Sequence, residues 1–292
     1  MTRFLLQQSN VFIAIALMVI LLSSLLTNLN TAISMLSLVL IIAFFGVPHG
    51  ALDMLFAQKA FTLTNLKAWI QFISTYLLIS MLVVGLWLLL PTVFFLVFLG
   101  FSAAHFADDL GNSTPKLLRY LYGVSIITLP SIFHTDTLVM LYGYMIEATI
   151  APQIVYVMKL LAMAAMVLML YAAFIFRHMV SRRLRVEILM VCALMLLVTP
   201  LLAFTIYFCF MHSARHIIKA RYYFDDVSNK AIMLTLVLPT LAVVLFCAVI
   251  FILLPVGQID ENLIKVTFVA LAALTFPHAF LLNKIDFLNA FK

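Results

Sequence analysis

Long apolar runs, each broken by only a few polar residues, dominate the chain, and none shows the strict alternation of a half-buried strand. Runs of about 14–25 such residues read as membrane-crossing helices, and ten can be laid down along the 292 residues. The first covers about 11–26 and ends at the uncharged turn Thr27-Asn28-Leu29-Asn30. The second starts near Ala32 and runs through Gly46-Val47-Pro48-His49-Gly50-Ala51-Leu52-Asp53. The third and fourth, about 69–90 and 91–109, meet at Pro91, and the fifth is about 117–133. Residues 134–152 are polar enough for a loop or an interfacial helix, and the sixth span follows at about 153–176. The apolar region from about 186 to 218 is too long for one span; splitting it at Thr199-Pro200 gives the seventh and eighth. The ninth and tenth are about 231–254 and 262–282.

Composition gives the same class. Hydrophobic residues make up 66% of the chain and charged ones 10%, where a soluble domain has about 45–50% and 25%. The expected fold is therefore all-α: a polytopic membrane bundle forming one integral catalytic domain over residues 1–292. The net charge of +6 calls for no nucleic acid, because cytoplasmic loops of membrane proteins collect Lys and Arg. Both termini are expected in the cytoplasm, in a multi-pass protein of the inner cell membrane, with most basic residues on that side. Cys192, Cys209 and Cys247 lie in apolar runs without CxxC spacing and read as small core residues.

Histidines are the chemistry that this pattern does not explain. His49, His105, His212 and His278 fall on the second, fourth, eighth and tenth spans. All four spans run in the same direction, and each histidine lies about 12–17 residues from the outer start, or about 18–25 Å deep. His216 is one helical turn from His212, about 40° away in azimuth and about 6 Å along the axis, so both rings can lean toward one ion. Ionisable groups at membrane depth cost about 3 kcal/mol each, and five imidazoles in one layer point to a metal site rather than to packing. His134 and His178 fall in loops and are excluded.

Asp53 and Asp109 each follow a histidine by four residues, so on a straight helix each carboxylate would accept the outer ring N–H of His49 or His105. Arg215, between the paired histidines, is expected to neutralise such a carboxylate or to snorkel to the cytoplasmic interface. Pro48 and Pro277 free backbone carbonyls beside His49 and His278. Phe45, Phe101, Phe106, Tyr207, Phe208 and Phe210 flank the histidines and are candidate pocket residues.

Several chemistries are excluded. HExxH, P-loop and GxGxxG patterns do not occur, and Glu147, Glu187 and Glu261 lie beside no histidine motif in the sequence. Membrane di-iron desaturases need more histidine boxes than this chain has. A centre of neutral imidazoles with open positions suits non-haem Fe(II) and O2 chemistry. A transition-metal-binding protein or transporter is the alternative, and a helper for a retinal-binding pump a third.

At these residues the sequence resembles the Brp/Blh (bacteriorhodopsin-related protein and homologue) family of β-carotene 15,15′-dioxygenases. The resemblance lies in Gly46-Val47-Pro48-His49-Gly50-Ala51-Leu52-Asp53, His105-Phe106, Tyr207-Phe208 with His212-Ser213-Ala214-Arg215-His216, and Pro277-His278. It implies a multi-pass enzyme that splits β-carotene with O2 at its central double bond, giving two molecules of retinal. It also implies Fe(2+) held by His49, His105, His212 and His216, while His278 matches a further family histidine. The lipid bilayer as the source of substrate and a functional link to a retinal-binding opsin follow from the same resemblance.

Overall fold

The computed structural model describes residues 2–26, 31–255 and 258–285, so the turn expected at 27–30 lies outside the described residues. Among the described residues, eight helices are long and apolar enough to cross a membrane. They are α1 (Arg3–Ser23), α2 (Met35–Phe61), α3 (Leu66–Leu89), α4 (Pro91–Leu110), α7 (Ala151–Ile175), α9 (Pro200–Tyr223), α10 (Asn229–Leu253) and α11 (Ile259–Lys284). Between them, α5 (Lys116–Phe133) and α6 (Thr135–Gly143) form a pair bent by 111°, and α8 (Arg182–Leu197) precedes the break at Pro200. The described residues contain no strand. The chain is a polytopic helical membrane protein.

Ten spans were expected; the difference lies in two of them. Helix α8 has 16 residues, about 24 Å at 1.5 Å each, which is shorter than a hydrocarbon core of about 30 Å. The fifth span is one arm of the bent pair, and its other arm falls in the segment read as a loop or interfacial helix. The break at Thr199-Pro200 is present: α8 ends at Leu197, and Pro200 opens α9 at the first helical position, where its missing N–H costs nothing.

Helices α3 and α10 lie at the periphery, with only 6% of their most apolar stretches buried. Their outward Leu and Val side chains face lipid, so their exposure costs no hydrophobic free energy. Helix α9 is the most buried, at 67%, and carries the Tyr207 to His216 stretch through the middle of the bundle. Helix α4 packs closely on α5, where Gly123 is required: a Cβ there would lie 1.9 Å from the Ala103 carbonyl oxygen. A buried network ties α9 to α1 and α8. Arg215 donates to Glu187 Oε2 at 3.0 Å and to Gln8 Oε1 at 3.3 Å, while Ser9 donates to the other Glu187 oxygen.

Two widened π turns, Ile42–Gly46 and Tyr207–Ser213, pack against each other at the centre. The first has a local cause. Pro48 has no N–H for the carbonyl four residues back, and the Val47 N–H reaches five residues back to Ile42 O at 2.9 Å. Ser213 Oγ in the second turn donates to the Phe45 and Gly46 carbonyls at 2.8 and 3.0 Å, locking the two turns together. Pro277 is handled differently. Helix α11 continues through it, and the Ala273 carbonyl, four residues back, accepts from Ser80 Oγ at 2.9 Å.

Candidate metal centre

The π turns deliver His49 and His212 to the same place, and α4, α9 and α11 add His105, His216 and His278. Ring centroids lie 5.0 Å apart for His49 and His212, 4.9 Å for His105 and His212, and 5.2 Å for both His49–His278 and His216–His278. His49, His212, His216 and His278 are buried, and His105 is partly exposed. Among the described residues, His49, His105 and His278 form the tightest possible ligand group, each offering an atom within 4.8 Å of the others. His278 therefore stands as close to the centre as the four histidines implied as ligands. His134 and His178 are not in the cluster.

The outer nitrogens fix the ring orientation. His49 Nδ1 lies 2.6 Å from the Gly46 carbonyl, His212 Nδ1 lies 2.9 Å from Asp109 Oδ1, and His278 Nδ1 lies 2.6 Å from Asp53 Oδ1. A carbonyl oxygen or a carboxylate only accepts, so each Nδ1 carries the proton and each neutral ring turns an Nε2 lone pair inward. Among the described residues, the Nε2 atoms of His105, His212 and His278 are buried without a hydrogen-bond partner. Buried polar atoms are nearly always paired; three orphans converging from three helices are what a bound cation would satisfy. The residues fit a transition metal.

The carboxylates are differently partnered from the sequence expectation. Asp53 serves His278 rather than His49, and also accepts from Tyr76 Oη at 2.9 Å. Asp109 serves His212 rather than His105, and accepts from Tyr207 Oη at 2.5 Å. Two His–Asp–Tyr chains thus flank the cluster, each crossing between helices. Four-residue spacing fails here because the chain turns at Leu52 before Asp53, and because Asp109 sits in a tight 3-10 turn after α4's regular part. Arg215 neutralises neither aspartate by direct contact and does not snorkel; its partner is Glu187.

Of the flanking aromatics, Phe208 stacks on His212 at 5.6 Å and 13°, and Phe106 meets the same ring edge-on at 5.1 Å. Phe101 stacks on Phe276 at 4.2 Å. Phe45 corrects the pocket reading: it is 59% exposed and stacks on Phe210, because the π turn rotates it toward lipid. Tyr76, Glu187, Gln8 and Ser9 were missed by sequence reasoning. Only Glu187 gave a signal, as the one acid among the apolar residues of α8.

Among the described residues, a polar cavity and two apolar ones border the cluster. A polar cavity of about 400 Å³ reaches His105, His212 and His216 past Asp108, Asp109 and Arg119. Two apolar cavities, of about 120 and 550 Å³, share His49, Phe208, Leu271 and Thr275 in their walls. Such a bundle, with imidazoles converging in its interior and apolar chambers on them, is an integral membrane protein built around a candidate transition-metal centre.

The chain belongs to the beta-carotene 15,15'-dioxygenase family, whose sequence model matches residues 40–286, a stretch that holds all five clustered histidines. It is 28% identical over 258 residues to the beta-carotene 15,15'-dioxygenase of uncultured marine bacterium 66A03, covering 84% of this chain and 91% of the relative. No solved structure matches it.

Proposed function

We propose that the protein is an iron-dependent dioxygenase that cleaves β-carotene at its central 15,15′ double bond, giving two molecules of retinal. The observation that carries this reading is the contact between the buried histidine cluster and two largely apolar chambers, one enclosed and one open toward lipid, in a chain of this family. His49, His105, His212 and His216 would hold Fe(2+), with His278 beside them as a further ligand. Bound iron supplies the activation of O2 for attack on an alkene.

The remaining work belongs to the chain. Gly46 O, Asp109 and Asp53 keep His49, His212 and His278 in the Nδ1–H form, so that Nε2 faces the centre. The two aspartates place negative charge directly on the outer N–H groups of His212 and His278, offsetting the charge of a dication that neutral rings would leave uncompensated. Phe208 and Phe106 wall the cluster with hydrocarbon and exclude water from the face where the polyene lies. No acid or base is required: the double bond breaks, each carbon receives one atom of O2, and no external electrons enter.

A transport role is less well supported, because the five histidines form one knot rather than a file through the bundle. The excess of Lys and Arg on one side of the spans supports an inner-membrane protein with cytoplasmic termini. Lipid is then the medium that brings β-carotene, and a retinal-binding opsin is a natural acceptor of the product.

The test uses purified, iron-loaded protein in detergent with β-carotene and O2, without NAD(P)H or a reductase. Retinal is the expected product, and under ¹⁸O2 both aldehydes carry label when analysed before exchange with water. A requirement for reductant in each turnover, or one unlabelled aldehyde after exchange controls, would contradict the reading.

A further inference from the structure

The two apolar chambers that meet at His49, Phe208, Leu271 and Thr275 end in different ways. The larger is lined by Ile73 and Leu77 of α3 and by Leu234 and Leu238 of α10, all exposed on the lipid-facing surface. It opens sideways into the bilayer between two peripheral helices. None of the residues lining the smaller chamber is exposed. It follows α4 from His105 to Phe95 and α11 from Thr275 to Ile264, about 15 Å for the ten residues on α4 and about 17 Å for the eleven on α11. Toward Phe95 the wall is completed by Tyr142 of α6, whose ring lies 4.6 Å from that of Phe95, together with Leu138 and Met145 of the same stretch of chain.

A rod-shaped substrate entering from lipid therefore has one way in and a wall at the other end. We propose that the enclosed chamber is a ruler: its side chains part to admit one end of a linear polyene, which its void of about 120 Å³ does not hold unaltered, as far as Leu138, Tyr142 and Ile264, and that depth sets which double bond stands beside the histidines. The inference rests on the polyene-cleaving function proposed above. It adds where the specificity for the central bond resides, in residues of α6 and α11 that touch no ligand of the centre. The other half of the rod lies in the lipid-open chamber, whose end is not closed and which measures nothing. Cleavage at any position has the same balance, one C=C and one O2 giving two carbonyl compounds, an aldehyde from each CH carbon and a ketone from a carbon that carries a methyl group. Moving the rod therefore changes the lengths and ends of the products but not the redox balance.

The test fills the tip from two different helices. Leu138→Phe and Ile264→Phe each hold the end of the rod further out, so a bond nearer that end meets the histidines. Wild-type protein is expected to give retinal alone, and each filled protein a pair of unequal apocarotenoids, aldehyde or ketone according to the bond cut, one shorter and one longer than retinal. Their share of product should rise about tenfold or more, the discrimination one misfitting group gives in an apolar pocket. Leu238→Phe, in the open chamber, should slow turnover and leave retinal the sole product. Under anaerobic conditions β-carotene should still shift its visible bands on binding to the filled proteins, which shows that the fold and the open chamber persist.

Retinal as the only product from both filled proteins, at whatever rate, overturns the ruler. So does the absence of any product from filled proteins that bind β-carotene anaerobically, because the ruler requires displaced cleavage rather than none. Failure of the function itself reads differently: wild-type protein would then produce no aldehyde at all.

Discussion

The histidine cluster faces a charged cavity on one side and hydrocarbon on the other. The polar cavity is walled by Asp108, Asp109, Asn112, Arg119 and Lys219, whereas away from His49 and His105 the enclosed chamber is lined mainly by Phe, Leu, Ile and Met and holds no Asp, Glu, Lys or Arg. A hydrated cation cannot cross the second kind of wall without losing its water, and a C40 polyene cannot cross the first without gaining it. The two kinds of space thus give one centre access to two phases, a polar route for an ion and a lipid route for a hydrocarbon. The His–Asp–Tyr chains follow the same division. Asp109 lines the polar cavity and Asp53 the lipid-open chamber.

That division predicts unequal effects from equal substitutions. Asp53→Asn should weaken iron retention by about 10–100-fold, the usual cost of removing a carboxylate that orients a ligating histidine. Asp109→Asn should cost less, because the polar cavity lets water and nearby polar groups take over part of its role. Tyr76→Phe and Tyr207→Phe, each removing one hydrogen bond from its aspartate, should follow the same order with smaller losses. Chelator titration of the four purified variants gives the ranking. Greater loss at Asp109 than at Asp53 would break the comparison.

The smallest effect is expected in the wall of the polar cavity. Asp108 pairs with Arg119, and its side chain is 30% exposed. Asp108→Asn should change stability by no more than about 1 kcal/mol, as for other partly solvated pairs. It should also leave iron content intact. A thermal denaturation scan in detergent with a parallel iron assay checks both. A large stability loss would mean that the cavity is drier than its lining implies.

Much of this arrangement is legible in the chain itself. Hydropathy and charge bring His49, His105, His212 and His278 to one depth, and a long apolar run with basic residues at both ends betrays the break at Pro200. What spacing cannot show is partnership across helices. Asp53 finds His278 and Asp109 finds His212 because neither lies on a straight helix with the histidine four residues before it. Arg215 finds Glu187, twenty-eight positions earlier in the chain, since α8 folds back beside α9. Phe45 points away from the pocket because a π turn rotates every side chain that it carries. In each case long-range packing sets the direction of a side chain that local periodicity alone leaves open.

The central claim is that the clustered histidines together hold one iron per chain. It is tested most directly by measuring the metal content of purified wild-type, His49→Ala, His105→Ala, His212→Ala and His216→Ala proteins, with His134→Ala and His178→Ala as controls. Wild type and controls should retain about one iron per chain, the amount a single closed imidazole cluster holds, and each cluster variant should lose the iron and the cleavage activity together. Full iron retention in His212→Ala protein would contradict the account.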